Sequence, residues 1–508
     1  MRLDWKKLLL GLFIGVGMTM MPACSNDEGY DTDGNGEGKE VTEPAETGYL
    51  SMKLSLGPVG TKDLGTEVGR SEERKVQKVW LVLYGPTNTV EYCIELAADN
   101  TYGTFVGTGV STESVATASR FVTVGQPVEK KAYKMLVLVN PISSYASVFG
   151  VGQSYNENAV YSIQSLTGTN GWAEDDHFFM SNAQGLIDIA TTDLKSSATD
   201  AERHPKAVAV DRGVAKVVVD GTSLPKVPDG DAISHLLWGL DVTNKSSYWV
   251  RHMGLLSDGT PEETNDGSAR YARYAEDPNF SGYSGTGTSS LASQFNYLDE
   301  APYDKGQLPM NYSSYVNYMY VSENTMDAAE QKQDVTTRVV LGGRYTPKGL
   351  DSGTIWGYSF YTYAGKVING ALMANYAGNA SLIPDELKSA GLAEAIAKVK
   401  ADKGTTIFSD PMGLEAYSSN GINFYKDGVN YYTVQLRHFT NDQLGNSTYG
   451  RYGVVRNNVY ILTIKSLSGV GTPIVDVPGP KPNDGETSIS ADIQVLPWQI
   501  REQEVEDL

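Results

Sequence analysis

Cysteine is nearly missing from this chain: two in 508 residues, Cys24 and Cys93. That excludes a disulfide scaffold and a multi-cysteine metal site. Histidine is scarce too. His177, His204, His235, His252 and His438 include no pair at HExxH or HxH spacing. Lys plus Arg number 41 against 61 Asp plus Glu, a formal charge of −20. Phosphate backbones repel such a chain, so nucleic acid is not an expected partner. No GxSxG elbow, P-loop or GxGxxG entering a helix occurs. Carboxylates are abundant, but nothing singles out a pair for glycoside hydrolysis. Asp175-Asp176-His177 reads as a turn before a strand rather than a metal site, and Cys93 as a small buried hydrophobe. The chain is therefore not expected to be an enzyme, and no catalytic residue, cofactor or metal ligand is assigned.

What is present is turn and strand material: 53 Gly and 31 Tyr against 12 Phe. The length argues for more than one domain. Arg2, Lys6 and Lys7 precede an apolar run of 14 residues, Leu8 to Met21. That is short for a bilayer span and suits a signal peptide, residues 1–23. The run ends in Met21-Pro22-Ala23-Cys24-Ser25, which resembles a lipobox, imperfect at Met21 and Pro22. Cys24 is the expected lipid (palmitate) attachment site and first mature residue. Residues 24–48 are a polar, acidic tether. Asp31, Asp33, Asn35 and Gly36 open like a calcium loop, but Thr42 stands where a bidentate Glu is required.

Leu50, Met52, Leu54 and Leu56 then alternate with polar residues, as in a half-buried strand. A Gly-rich basic stretch, 57–75, is expected to be an exposed loop. Strands follow at 76–84, 103–107, 119–124 and 132–139, and 206–219 is a long β-branched run interrupted by Arg212-Gly213. Pro225 to Asp231 suggests a domain boundary, giving a domain 71–228 and a second 229–470. Residues 255–300 read as surface loops. Further strands are expected at 315–321, 335–345, 355–363, 429–436 and 452–465, with one helix over 383–402. A Pro/Gly linker, 471–486, leads to a last strand within 487–508, where Ile489, Ala491, Ile493 and Val495 alternate before Pro497-Trp498. Short strands with regular turn signals indicate a mostly β chain of two antiparallel sandwiches in tandem with few short helices.

Several landmarks together resemble the Bacteroidales fimbrillins, above all the Mfa-type subunits of type V pili. These are the lipobox and tether, Val76 to Tyr84, Phe179-Met180-Ser181-Asn182, Val208 to Val217, Tyr320 to Asn324 with Thr336 to Leu341, Arg456 to Ile464, and Ile493 to Trp498. Residues 255–310 and 365–415 carry no such likeness. The resemblance implies transthyretin-like sandwiches and a pilus subunit exported as a lipoprotein to the outer membrane and cell surface. It implies that an arginine-specific protease cuts the loop after the first strand, with Arg70-Ser71 the first choice and Arg74 the next. The cut would remove residues 24–70, including the strand Leu50, Met52, Leu54 and Leu56, and leave a body of charge −16. The C-terminal strand Ile489, Ala491, Ile493, Val495 and Trp498 would then fill the groove of another copy. From the residues alone, that strand is equally an ordinary last strand. Expected partners are copies of the chain, accessory fimbrial subunits, the protease, and a host or bacterial surface ligand. The alternative is a lipid-retaining anchor, tip or glycan-binding lipoprotein.

Overall fold

In the computed structural model, residues 46 to 499 are described apart from 57–66, 69, 74, 98–102, 106–119, 143–144, 170, 184, most of 253–290, 315–316, 351–352, 354, 412, 440–449, 477–478, 482 and 484–488. The expected signal peptide, Cys24 and most of the tether lie outside these residues, as does Arg74. Among the described residues, no helix is long and apolar enough to cross a membrane.

The first half contains β1 (Thr47–Leu50), β2 (Met52–Leu56), β3 (Glu67–Val68), β4 (Lys78–Tyr84), β5 (Val90–Ala97), β6 (Gly103–Phe105), β7 (Arg120–Thr123), β8 (Gln126–Glu129) and β9 (Tyr133–Val139). It continues with β10 (Val160–Ser162), β11 (Met180–Asn182), β12 (Ile187–Ile189), β13 (Lys206–Arg212) and β14 (Val214–Asp220). A nine-stranded sheet runs β5-β4-β9-β11-β13-β2-β7-β6, with β12 also on β9, and β1 pairs separately with β8. Its core gathers strand residues such as Leu81, Leu83, Met135 and Val137, together with Trp172 and Phe179 from the segment before β11.

The second half contains β15 (Ala232–Asp241), β16 (Thr243–Asn244), β17 (Ser246–Tyr248), β18 (Glu263–Asn265), β19 (Arg270–Ala272), β20 (Phe295–Asn296), β21 (Met310–Asn311), β22 (Tyr318–Ser322), β23 (Arg338–Thr346), β24 (Phe360–Tyr363) and β25 (Lys366–Asn369). After these come β26 (Tyr417–Ser419), β27 (Ile422–Tyr425), β28 (Val429–Gln435), β29 (Asn458–Leu467) and β30 (Ile489–Gln499). The sheet β22-β14-β29-β30-β3 and the sheet β21-β15-β23-β28 share one apolar core, so they form a sandwich. Val217, Tyr460 and Ile493 come from the first, and Trp238, Leu341 and Val434 from the second.

The chain is mostly strand, as expected, but not purely antiparallel. β2 runs parallel to β13, β14 to β29, and β3 to β30. These partners are far apart in sequence, and long connections permit parallel pairing. The run 206–219 is two strands in two sheets. The chain crosses at Gly213, ahead of the Pro225–Asp231 stretch. A Cβ there would stand 2.6 Å from the Trp172 ring and 2.9 Å from that of Phe179.

The expected helix is two, Asp385–Ser389 and Leu392–Lys403, broken at Gly391 with φ of 87°. They join the helix Gly370–Gly378 and the sheet β25-β24-β27-β26 around a third core that contains Trp356, Tyr361, Leu392 and Val399. This unit is inserted between β23 and β28, which pair directly. Within 255–300, Phe280, Leu291 and Phe295 are buried in a small apolar cluster, so that segment is not all surface loop. Cys93 is half-buried against the first core, and burial pushes its thiol up to about 11.

Candidate functional site: the N-terminal strand and the domain junction

β1 and β2 form one extended run that lies inside the first domain. Leu50, Met52 and Leu54 are at most 1% exposed. β2 is flanked on both edges. Its parallel register with β13 runs from Met52 opposite Lys206 to Leu56 opposite Val210. Its antiparallel register with β7 places Leu54 opposite Phe121. Ser51 is buried where the run passes from β1 to β2. Its hydroxyl donates to the Thr123 carbonyl at 2.6 Å, and the Met52 amide donates to the Thr123 hydroxyl at 2.9 Å. Tyr49 exchanges two backbone bonds with Lys195. The alternation of Leu50, Met52 and Leu54 therefore marks an interior strand. Leu56 occupies the end of β2.

The stretch after it is not an open loop throughout. β3 pairs with the end of β30, Glu67 opposite Trp498. Ser71–Glu73 forms a 3-10 turn, and the Glu73 amide donates to the Arg70 carbonyl at 3.1 Å. Glu73 is fully buried. Its Oε1 accepts from the Lys216 Nζ at 2.9 Å and the Tyr320 hydroxyl at 2.6 Å, and its Oε2 accepts from the Arg70 amide at 2.7 Å. Burial by itself raises the Glu73 carboxyl. Lys216 and these hydrogen bonds outweigh it and hold the group below its ordinary range. The Arg70 guanidinium bonds the Tyr318 hydroxyl and lies 3.5 Å from Glu72 and 3.9 Å from Asp175. The Gly-rich composition concealed this docking, because a single buried carboxylate fixes it rather than apolar residues. A cleft of about 940 Å³ lies beside it, lined in part by Glu174, Asp175, Tyr318 and Tyr320.

Deeper in the junction, Arg456 is 1% exposed. It pairs with Glu323 at 2.9 Å and donates to the Ser247 hydroxyl at 3.0 Å and the Tyr248 carbonyl at 2.9 Å. Arg251 pairs with Asp211 and donates to the Arg456 carbonyl at 2.8 Å. Asn457 donates to Asp211 at 2.6 Å and accepts from the Arg212 guanidinium at 3.2 Å. Arg212 in turn donates to the Glu73 carbonyl at 3.0 Å. The sequence showed Arg212 and Arg456-Asn457 only as pieces of a resemblance. Their partners, 133 and 245 residues away, carried no local signal.

β30 forms the far side of this region. Ile489, Ile493 and Val495 are 7%, 8% and 4% exposed and pack in the second core with Ala491 beside them. β30 pairs with β29 along its length, so in this state it is the chain's own last strand. On its other edge, among the described residues, the sheet order places the two-residue β3, against Trp498 and Gln499. The linker is docked where it is described. Thr472 bridges Tyr431, the Val475 amide donates to the Glu300 carbonyl at 2.8 Å, and Asn483 is 2% exposed.

Asp175 to His177 form a turn, as expected, and Asp176 pairs with Lys75 at 2.8 Å. Among the described residues, no group of three His, Cys, Asp or Glu is placed to hold a metal ion.

Residues 423–504 match the family described as major fimbrial subunit protein type IV, fimbrillin, C-terminal. The matched residues take in β28, β29 and β30 together with Arg456 and Asn457. No curated protein matches the chain. Among solved structures, a fimbrilin from Porphyromonas gingivalis is 15% identical, covering 91% of this chain and 99% of that one at a TM-score of 0.43. The tip fimbrial protein Mfa3 of the same organism is 11% identical, covering 89% and 100% at 0.37.

Proposed function

We propose that this chain is a structural subunit of a cell-surface fimbrium, made as a lipoprotein on Cys24 and matured by cleavage after Arg70. The coarse part of that reading, a fimbrial subunit in adhesion, follows from the fimbrillin match. The finer part is carried by one observation. The segment ahead of Arg70 supplies an interior strand, β2, with Met52 and Leu54 fully buried. Its removal strips the facing edges of β13 and β7 and opens an apolar groove, which is a template for strand addition. The occupant is the C-terminal strand of a second copy. β30 has 11 residues, with Ile489, Ala491, Ile493 and Val495 in strand alternation. A contact of this kind does not close on itself and gives a filament.

The test is to treat purified precursor with an arginine-specific protease, read the new N-terminus and look for ladders on unboiled gels. Clean cutting at Arg70 that leaves only monomer refutes strand exchange. Polymerisation that persists after deletion of 487–508 refutes the C-terminal donor.

The docked linker and the buried β30 side chains favour a second reading. In it the subunit keeps its last strand at home and serves as an anchor or tip protein. Lipid-linked Cys24 on the surface protein would decide for it.

A further inference from the structure

We infer that Glu73 is the docking site for the new N-terminal ammonium that cleavage creates on Ser71. This rests on the reading that the chain is cut after Arg70. Hydrolysis of the Arg70–Ser71 amide consumes one water. The carboxylate leaves with Arg70, and the amine on Ser71 takes a proton at neutral pH.

Two things are then lost around Glu73. The Arg70 amide, which donates to Oε2 at 2.7 Å, departs with the leader. So does the Arg70 guanidinium, the cation that lies 3.5 Å from Glu72 and 3.9 Å from Asp175. A buried carboxylate oxygen is left without that donor, and an acidic surface is left without that cation. The Ser71 ammonium restores both. It carries one positive charge and three donors, and it begins one residue from the lost amide. The Glu73 amide bond to the Arg70 carbonyl is also gone, so the short turn 71–73 is released to swing its first atom towards Oε2.

Glu73 itself does not need to move. Lys216 and Tyr320 hold Oε1, and the Arg212 guanidinium holds the Glu73 carbonyl. Among the described residues, the remaining charged groups at this point are Lys216, Arg212, Glu72 and Asp175, with the Tyr318 and Tyr320 hydroxyls beside them, so the added cation faces three carboxylates, Glu73 included, and two cations. The mature chain thus starts pinned to the junction of the two domains.

The test replaces residues 65–70 of the full precursor with a recognition sequence cut immediately before Ser71. The outcome then does not depend on the natural protease. Sequencing of the surface protein decides the Arg70 reading separately. After cutting, the Ser71 amine is acylated with a limiting reagent across a pH series and quantified by mass spectrometry. The docked amine is expected to react about tenfold more slowly near about pH 6.5, well below both values, than a free peptide of the same first residues, a shift of about one unit above the ordinary α-amino value. Glu73→Gln should abolish the protection and Glu72→Gln should keep most of it. If the amine of the cut, otherwise unaltered chain reacts at the peptide rate, the inference is wrong. It is equally wrong if Glu72→Gln alone removes the protection. The wild-type measurement decides the matter even if Glu73→Gln fails to fold.

Discussion

The Lys216 ammonium and the Glu73 carboxylate, 143 residues apart in the chain, meet at 2.9 Å with 7% and 0% of their side chains exposed. One residue belongs to the segment that follows Arg70 and the other to the second sandwich. This pair fixes the segment after Arg70 to the body.

A buried pair broken on one side leaves an uncompensated charge. Glu73→Gln should therefore destabilise the precursor by about 3–5 kcal/mol at neutral pH. The measurement is urea unfolding followed by tryptophan fluorescence. A change under about 0.5 kcal/mol would contradict the geometry.

The same carboxyl sets an acid limit. Its folded value lies below its ordinary value, so its contribution is present above the unfolded value near about 4.3 and is lost as pH falls through the folded one. Stability of the wild type should fall more steeply than that of Glu73→Gln as pH drops below about 4. Parallel denaturation series at stepped pH would show it.

Arg456 and Glu323 form a second buried pair, 1% and 4% exposed. Arg456→Met alone should cost about 3–5 kcal/mol, because Glu323 stays behind without its cation. Adding Glu323→Gln should return part of that loss. A double-mutant cycle with equal and additive costs would refute the coupling.

Gly213 has no room for a side chain against Trp172 and Phe179. Gly213→Ala should cost about 1–3 kcal/mol through overpacking, seen as a lowered Tm of the precursor.

Leu54→Asp should separate precursor from product. It places a charge at a fully buried position of β2 and should weaken the precursor strongly. In the cut body that residue is gone, so the thermal transitions of cut variant and cut wild type should coincide.

Much of this organisation was legible in the sequence where side chains repeat. Leu50, Met52 and Leu54 announced a strand, and Ile489 to Val495 another, because period-two burial writes itself locally. The interruption of 206–219 at Arg212-Gly213 was visible, but not that its halves join different sheets, since both are equally β-branched. The insert between β23 and β28 showed its helix and, in the expected strand 355–363, β24, while its other short strands carry little pattern. The junction was the least visible part. Arg212, Arg251 and Arg456 are ordinary surface residues by composition, and their burial depends on partners that only the folded chain assembles.

The two neighbours of β2 run opposite to each other, so a strand in that slot lies parallel to one and antiparallel to the other whichever way it enters. Under the proposed exchange, direction comes instead from the contact, because a donor strand and an acceptor slot are different surfaces. Subunits joined in that way would all point the same way. An assembly built from them has two chemically different ends, and growth at one of them differs in kind from growth at the other.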